Sequence, residues 1–359
     1  MEPPGLMSGT GKGSVSPDLS PGLLELSYIF HNLLKINFMN ESKSDINKPN
    51  SSSVLITGGS GLIGRYLTSV LLSEGFKVSH LSRNTNQFGK VRVFRWDPQK
   101  GILDPFVFEG VDYIVNLAGA NIGEKRWTSF RKRDIERSRI DSAKLLYKVF
   151  SESNIPVKAF ISASAVGYYG SVNSEKIFTE NDPPADDFLG TVCRKWEEAA
   201  DLFSSSGTRV VKIRTGVVME KSDSALSKMM MTAKYGILVQ TGNGRQYMPW
   251  IHITDLCNIY LKAITDQNMD GAFNAVSPQH VTHKVFVKTL SQVMGKVVFP
   301  VPVPGIILRM ALGEMADVVL KGSRVSAEKI TKSGYTFLNP DLAGALKEVL
   351  DIHPSDTFS

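Results

Sequence analysis

The chain predicts an α/β fold built on a doubly wound parallel sheet, and three observations carry that expectation. From Val54 onward, short β-branched runs alternate with longer helical patterns, the ordering that a parallel sheet with helices on both faces produces. The glycine-rich segment Thr57-Gly58-Gly59-Ser60-Gly61-Leu62-Ile63-Gly64 joins the first apolar run, Val54-Leu55-Ile56, to the first helical pattern. With 359 residues, 42% of them hydrophobic and 21% charged, the chain can bury a large core in one or two globular domains.

The elements follow in order. The first strand is Val54 to Thr57, and its helix runs from about Ile63 to Glu74, stopped by Gly75. The second strand is Val78 to Leu81. The third, Val91 to Trp96, closes in the turn Asp97-Pro98-Gln99-Lys100-Gly101. The fourth, Tyr113 to Asn116, enters Leu117-Ala118-Gly119-Ala120, whose small residues let a ligand approach the backbone. A long helix covers roughly Ser129 to Ser151. The fifth strand, Ala159 to Ser162, opens the loop from Ala163 to Gly170, and a helix near Leu189 to Phe203 leads to the sixth, Arg209 to Arg214.

Beyond about residue 220 the pattern loosens into smaller helical and strand segments, expected to form the second wall of a cleft. The domain reading is therefore a nucleotide-binding domain over 54–299, with substrate-side segments from about 220, and a small C-terminal domain over 300–352. Residues 1–53 are dominated by Gly, Ser, Pro and Asn, broken by the apolar patch Tyr28 to Leu34. They read as a disordered extension, with an amphipathic partner helix over 23–38 as the alternative.

A pyrophosphate reaches a strand-to-helix turn only where no side chain stands between it and the amides. Gly61 permits that approach, Gly58 or Gly59 can take the positive φ of the tight turn, and Gly64 lets the helix pack on the strand. The diphosphate then rests on the helix N-terminus, where free N–H groups and the helix dipole favour negative charge. At the end of the second strand an NAD site places a carboxylate for the ribose hydroxyls. Here Ser82-Arg83-Asn84 offers none, and Arg83 suits a 2′-phosphate. The expected cofactor is NADP.

Other classes are disfavoured. The net charge of +6 is modest, and the basic run Lys125-Arg126 with Arg131-Lys132-Arg133 lies in a helical stretch without aromatic platforms, so no nucleic-acid partner is expected. Cys193 and Cys257 form neither a disulfide framework nor metal-ligand spacing, and the six histidines are scattered. The expectation is no metal, no membrane span, a reducing compartment and a cytoplasmic protein.

The glycine loop, Asn116-Leu117-Ala118-Gly119, Ser162-Ala163-Ser164-Ala165-Val166-Gly167-Tyr168-Tyr169-Gly170 and Trp250-Ile251-His252-Ile253-Thr254-Asp255-Leu256 together resemble the short-chain dehydrogenase/reductase superfamily. Within it they resemble the atypical epimerase family proteins of the NAD-dependent epimerase/dehydratase type, related to sugar-nucleotide epimerases. The resemblance spans roughly residues 54 to 350. Its tail, with Leu312-Gly313-Glu314-Met315 and Gly322-Ser323-Arg324-Val325, is similar to that group's C-terminal domain of unknown function. It implies cofactor binding by Gly58, Gly59, Ser60, Gly61, Leu62, Ile63, Gly64, Ser82, Arg83, Leu117, Ala118, Gly119, Asp134 and Arg139. Asp255 reads as a helix N-cap, His252 as structural, and the loop Gly242 to Gln246 as a substrate-side wall.

The superfamily's chemistry uses a Ser or Thr that orients the substrate oxygen and a Tyr four residues before a Lys. Ser164 resembles the serine and Lys195 the lysine, but Thr191 stands where the tyrosine belongs, and none of the ten tyrosines precedes a lysine by four residues. Tyr168, or its neighbour Tyr169, is the substitute, a phenol expected to titrate below about 10 beside a positive charge. Two functions follow. One is an NADP(H)-dependent oxidoreductase or epimerase of a carbonyl or sugar-nucleotide-like small molecule, with Ser164 orienting the substrate, Lys195 holding the cofactor ribose, and Tyr168 or a water passing the proton. The other is an NADP-binding redox-sensing or scaffold protein with little or no turnover. A homodimer would use the helix over residues 129–151.

Overall fold

The computed structural model describes residues 52–84, 91–222, 224–295 and 299–351. The expectations for residues 1–51 lie outside them. The strands, in chain order, are β1 (Ser53–Thr57), β2 (Lys77–Ser82), β3 (Arg92–Asp97), β4 (Ile102–Leu103), β5 (Tyr113–Asn116), β6 (Ala159–Ala165), β7 (Ile177–Phe178), β8 (Arg209–Thr215), β9 (Val217–Met219), β10 (Ile237–Thr241), β11 (Trp250–His252), β12 (Gly271–Ala275), β13 (Phe299–Val303) and β14 (Arg324–Val325). The helices are α1 (Leu62–Ser73), α2 (Ser129–Ser153), α3 (Phe188–Asp201), α4 (Ala225–Ala233), α5 (Ile253–Thr265), α6 (His283–Val293), α7 (Gly305–Leu312), α8 (Ala316–Leu320), α9 (Glu328–Lys332) and α10 (Leu342–Val349).

Eight strands make one sheet in the order β12-β8-β6-β5-β1-β2-β3-β4. Every neighbour pairs parallel except the edge strand β4, which runs antiparallel to β3. From β1 the chain lays strands outward to β2 and β3, then returns to lay β5, β6, β8 and β12 on the other side. The reversal lies between β1 and β5, where crevices beyond the carboxyl ends of strands open.

Alternation along β1 explains the layering, since successive side chains of a strand face opposite sides. Val54 and Ile56 enter a core with Leu67 and Leu71 of α1 and Leu256, Ile259 and Tyr260 of α5. Leu55 enters the opposite core with Leu145, Leu146 and Phe150 of α2 and Phe203 beyond α3. Phe203 stacks on Phe160 of β6 at a centroid distance of 3.8 Å. A third cluster, including Leu226, Leu238, Trp250, Phe286, Leu290 and Leu346, organises the segments after β8.

Most sequence-derived boundaries fall within one or two residues of those observed. The fifth strand is the exception. β6 runs to Ala165 rather than ending at Ser162, because Ala163, Ser164 and Ala165 pair with Ile213, Arg214 and Thr215 of β8. Ser164 therefore sits in a strand, in register with Arg214, instead of on a loop. Among the described residues no helix is long and apolar enough to cross a membrane.

Candidate active site at the carboxyl edge of the sheet

The glycine turn lies at the β1/β5 reversal, and the structure gives each glycine its reason. Gly58 takes φ +69°, so it, and not Gly59, supplies the left-handed residue. Gly59 is required by packing: a Cβ there would lie 2.5 Å from the His80 ring, which fills the space beneath. His80 is buried and shares a 2.8 Å hydrogen bond with Thr68 Oγ1, which donates to the Gly64 carbonyl. Burial pushes the imidazole pKa down to about 4, so it props the turn in its neutral form. A Cβ on Gly64 would meet the Gly58 carbonyl oxygen at 2.5 Å.

Gly61 is the N-cap of α1, in extended backbone, with no side-chain cap and no acidic residue in the first turn. Gly61 and Ser60 are exposed, while Leu62 and Ile63 are half-buried behind them. Those first-turn amides receive nothing from the protein's own side chains at the cap. That is the property an anion-binding helix end requires.

Neighbouring strand ends complete the edge. Thr57 is in register with Leu81 of β2 and Asn116 of β5, so Ser82 and the exposed Arg83 emerge beside the turn on one side and Leu117-Ala118-Gly119 on the other. Thr57 Oγ1 donates to Asn116 Oδ1 at 2.7 Å and accepts from the amides of Leu117 and Ala118, each at 3.1 Å. Sequence reading missed this clasp, although a β-branched hydroxyl at the strand end was the available signal. Arg139 lies against Gly119, where a Cβ would come within 3.1 Å of its guanidinium, and its Nη1 donates to the Ile135 carbonyl. Its other face stacks on Trp196 at 5.1 Å. Asp134 instead takes a 2.5 Å bond from Arg131, which also reaches the Asn121 carbonyl and Glu124.

Beyond β6 the polar groups join in one buried chain. Ser164 donates to Glu197 Oε1 of α3 at 2.6 Å. Glu197 is gripped by Arg214 through Nε at 2.8 Å and Nη2 at 2.9 Å. Arg214 Nη1 donates to Tyr169 Oη at 3.0 Å, and Tyr169 donates to Asn274 Oδ1 at 2.6 Å. All five are buried. Burial opposes the charge on Arg214, but its bonds and ion pair with Glu197 outweigh that and raise its pKa. Ser164 is 3% exposed and its proton is directed at a carboxylate.

Tyr168, half-buried, lies with its ring over the Arg214 guanidinium, 3.4 Å from carbon to centroid. The expectation of a lowered phenol pKa is corrected here: burial raises it, more than the Arg214 charge lowers it. Burial also pushes Tyr169 up to about 12. Lys195 does not face a tyrosine four residues upstream; its Nζ pairs with Glu136 of α2 at 2.5 Å.

Other expectations shift. The N-cap of α5 is His252, whose ring accepts from the Thr254 amide. Asp255 is the corrected case: fully buried in the first turn, it accepts from the amides of Leu338 and Asn339 and from Tyr335 Oη, tying α5 to the C-terminal segment. In the loop after β10, Gln246 turns inward and donates to the carbonyls of Thr241 and Val319. Its amide thus joins β10 to α8, leaving Arg245 exposed. Cys193 and Cys257 are both buried and free, with burial pushing Cys193 up to about 12. Among the described residues no group of three or more His, Cys, Asp or Glu side chains is placed to hold a metal.

A parallel sheet whose strand order reverses at a glycine turn, with an uncapped helix N-terminus at its carboxyl edge, defines a Rossmann-type fold. The chain belongs to the NAD dependent epimerase/dehydratase family, whose sequence pattern matches residues 54–275. A domain of unknown function, DUF1731, matches residues 303–349. An epimerase family protein of Mycobacterium leprae is 34% identical over 294 residues, covering 82% of this chain and 94% of the relative. The human epimerase family protein SDR39U1 is 33% identical over 302 residues, covering 83% and 99%. The crystal structure of that human protein (isoform 2) with NADPH superposes at TM-score 0.75 with 30% identity, covering 84% of this chain and all of the other. A nucleoside-diphosphate sugar epimerase from Corynebacterium glutamicum superposes at 0.72, also at 30% identity, covering 94% and 67%.

Proposed function

We propose that the chain binds NADP(H) along the carboxyl edge of the sheet and reduces the carbonyl group of a small, sugar-nucleotide-like molecule. The observation that carries the reading is the uncapped N-terminus of α1 at Gly61, with the exposed Arg83 on the adjoining strand end. Gly58, Gly59, Ser60, Gly61, Leu62, Ile63 and Gly64 would hold the diphosphate on main-chain amides. Ser82 and Arg83 would take the 2′-phosphate, and Leu117, Ala118 and Gly119 would line the far side. Arg139 braces Gly119 from behind. The NADPH-bound relative supports this choice of cofactor.

NADPH supplies a hydride when bound. The protein's part is the proton. With its phenol pKa raised, Tyr168 stays protonated through the neutral range and donates to the substrate oxygen. Neutral donors of this kind suit reduction of a carbonyl, whose oxygen becomes strongly basic as it accepts charge. The same reading assigns nucleotide binding to residues 54–299, substrate-side walls from about 220, and a small appended domain over 300–352.

A second reading, NADP binding without turnover, is favoured by one observation. Ser164 is engaged by Glu197 and Lys195 by Glu136, so the group that the superfamily turns toward substrate and the one it turns toward the cofactor ribose are both held by carboxylates of the protein. Following NADPH oxidation against a panel of aldehydes, ketones and nucleotide-keto-sugars decides between them. Turnover that falls at least about a hundredfold in Tyr168→Phe supports the reductase. Tight NADPH binding with no turnover on any member of the panel supports the second reading.

A further inference from the structure

The resemblance assigns the cation beside the proton-carrying phenol to Lys195, yet the structure puts a different cation there. Arg214, next to last in β8, is in register with Ser164 of β6 on one side and Asn274 of β12 on the other. Its guanidinium is buried, with a side-chain exposure of 4%. Glu197 holds it in a two-pronged bond, its Nη1 donates to Tyr169 Oη and the Glu180 carbonyl, and its flat face lies under the Tyr168 ring at 3.4 Å. Lys195, by contrast, is 41% exposed along its side chain and pairs with Glu136.

We propose that Arg214 is the positioning residue for Tyr168, seating its ring and supplying the positive charge that the missing Tyr-x-x-x-Lys pair would otherwise provide. A planar guanidinium both stacks on an aromatic face and keeps its fork for a carboxylate, which an ammonium cannot do. The pair is thereby rebuilt from a residue in the turn after β6 and one near the end of β8, rather than from one helical turn. Glu197 both fixes the Arg214 plane and accepts the hydrogen bond of Ser164. Charged groups acting on the phenol are Arg214 on β8 and Glu197 and Arg194 on α3. Of these, Arg214 and, more weakly, Arg194 oppose the burial that raises the phenol's pKa, while Glu197 adds to it.

The assignment deepens the reductase reading through Tyr168, but its test needs no turnover. Carbon-13 tyrosine-ring NMR on the whole protein, with the Tyr168 resonance identified by its loss in Tyr168→Phe, follows the phenol through a pH titration. In the double variant Arg214→Met with Glu197→Met, which removes both charges and strands neither, the Tyr168 ring resonance is expected to shift as the guanidinium stack is lost. Arg214→Lys, which keeps a buried cation but not the flat stack, is expected to shift the ring resonance and guards against a double variant that does not fold. Lys195→Met is expected to leave resonance and midpoint where they are. A midpoint that moves in Lys195→Met, or a Tyr168 signal unmoved in the folded Arg214 variants, overturns the proposal. Because NADPH oxidation is measured separately, loss of the reductase reading would leave this result standing or falling by itself.

Discussion

At the scale of single residues, two glycines of one turn do different jobs and can be told apart. Gly61 lies in extended backbone and is exposed, so a methyl group there presses only on the Gly58 carbonyl oxygen, at 3.2 Å, but stands over the helix N-terminus. Gly61→Ala is expected to keep its melting temperature while weakening NADPH binding at least about tenfold, as isothermal calorimetry would read it. Gly64→Ala instead drives a methyl into the Gly58 carbonyl and Gly59, and should lose about 1–3 kcal/mol in chemical denaturation through overpacking. Equal effects of both variants on stability would contradict this division. The spacing of the motif was legible in the sequence, but not which glycine needs positive φ. Nor was the reason for Gly59, which is His80 arriving from the next strand to fill the space beneath it.

At the scale of elements, the parallel strands and their helices were readable because apolar runs, helix periods and turn residues all agree locally. The end of β6 was not, since its last three residues are strand only by virtue of pairing with β8 some fifty positions away. Ser164 reads as a loop residue for the same reason, and its partner Glu197 lies on a helix whose sequence shows no sign of that contact. The Thr57 clasp is likewise a property of two strand ends meeting. Thr57→Val keeps the shape but leaves Asn116 without its donor and the Leu117 and Ala118 amides without their side-chain acceptor. Unmet buried polar groups cost about 1–3 kcal/mol, so a comparable fall in unfolding free energy is expected, with NADPH binding weakened as the edge loosens. A variant as stable as the parent would show that the clasp carries no weight.

At the scale of the whole molecule, acid stability follows from buried imidazoles spread over different elements. Burial holds His80, His252 and His283 at about 4 each, below their ordinary 6.5. The unfolded chain therefore takes up these protons first, and stability is complete above about 6.5 and lost as pH falls toward about 4. Melting temperature should drop through that window, and His283→Gln should flatten part of the fall; a profile level down to about 4 would contradict the burial of these rings.

The proposed function lays a dinucleotide across the reversal between β1 and β5 and has Arg83 select the phosphorylated form. Calorimetric titration with NADPH and NADH, on the parent and on Arg83→Gln, addresses that claim most directly. A charged hydrogen bond to a phosphate is worth about 1.5–3 kcal/mol, so the parent is expected to bind NADPH roughly ten- to a hundredfold more tightly, and Arg83→Gln to lose most of the preference. Equal or tighter binding of NADH by the parent, or no heat with either nucleotide, would contradict the account.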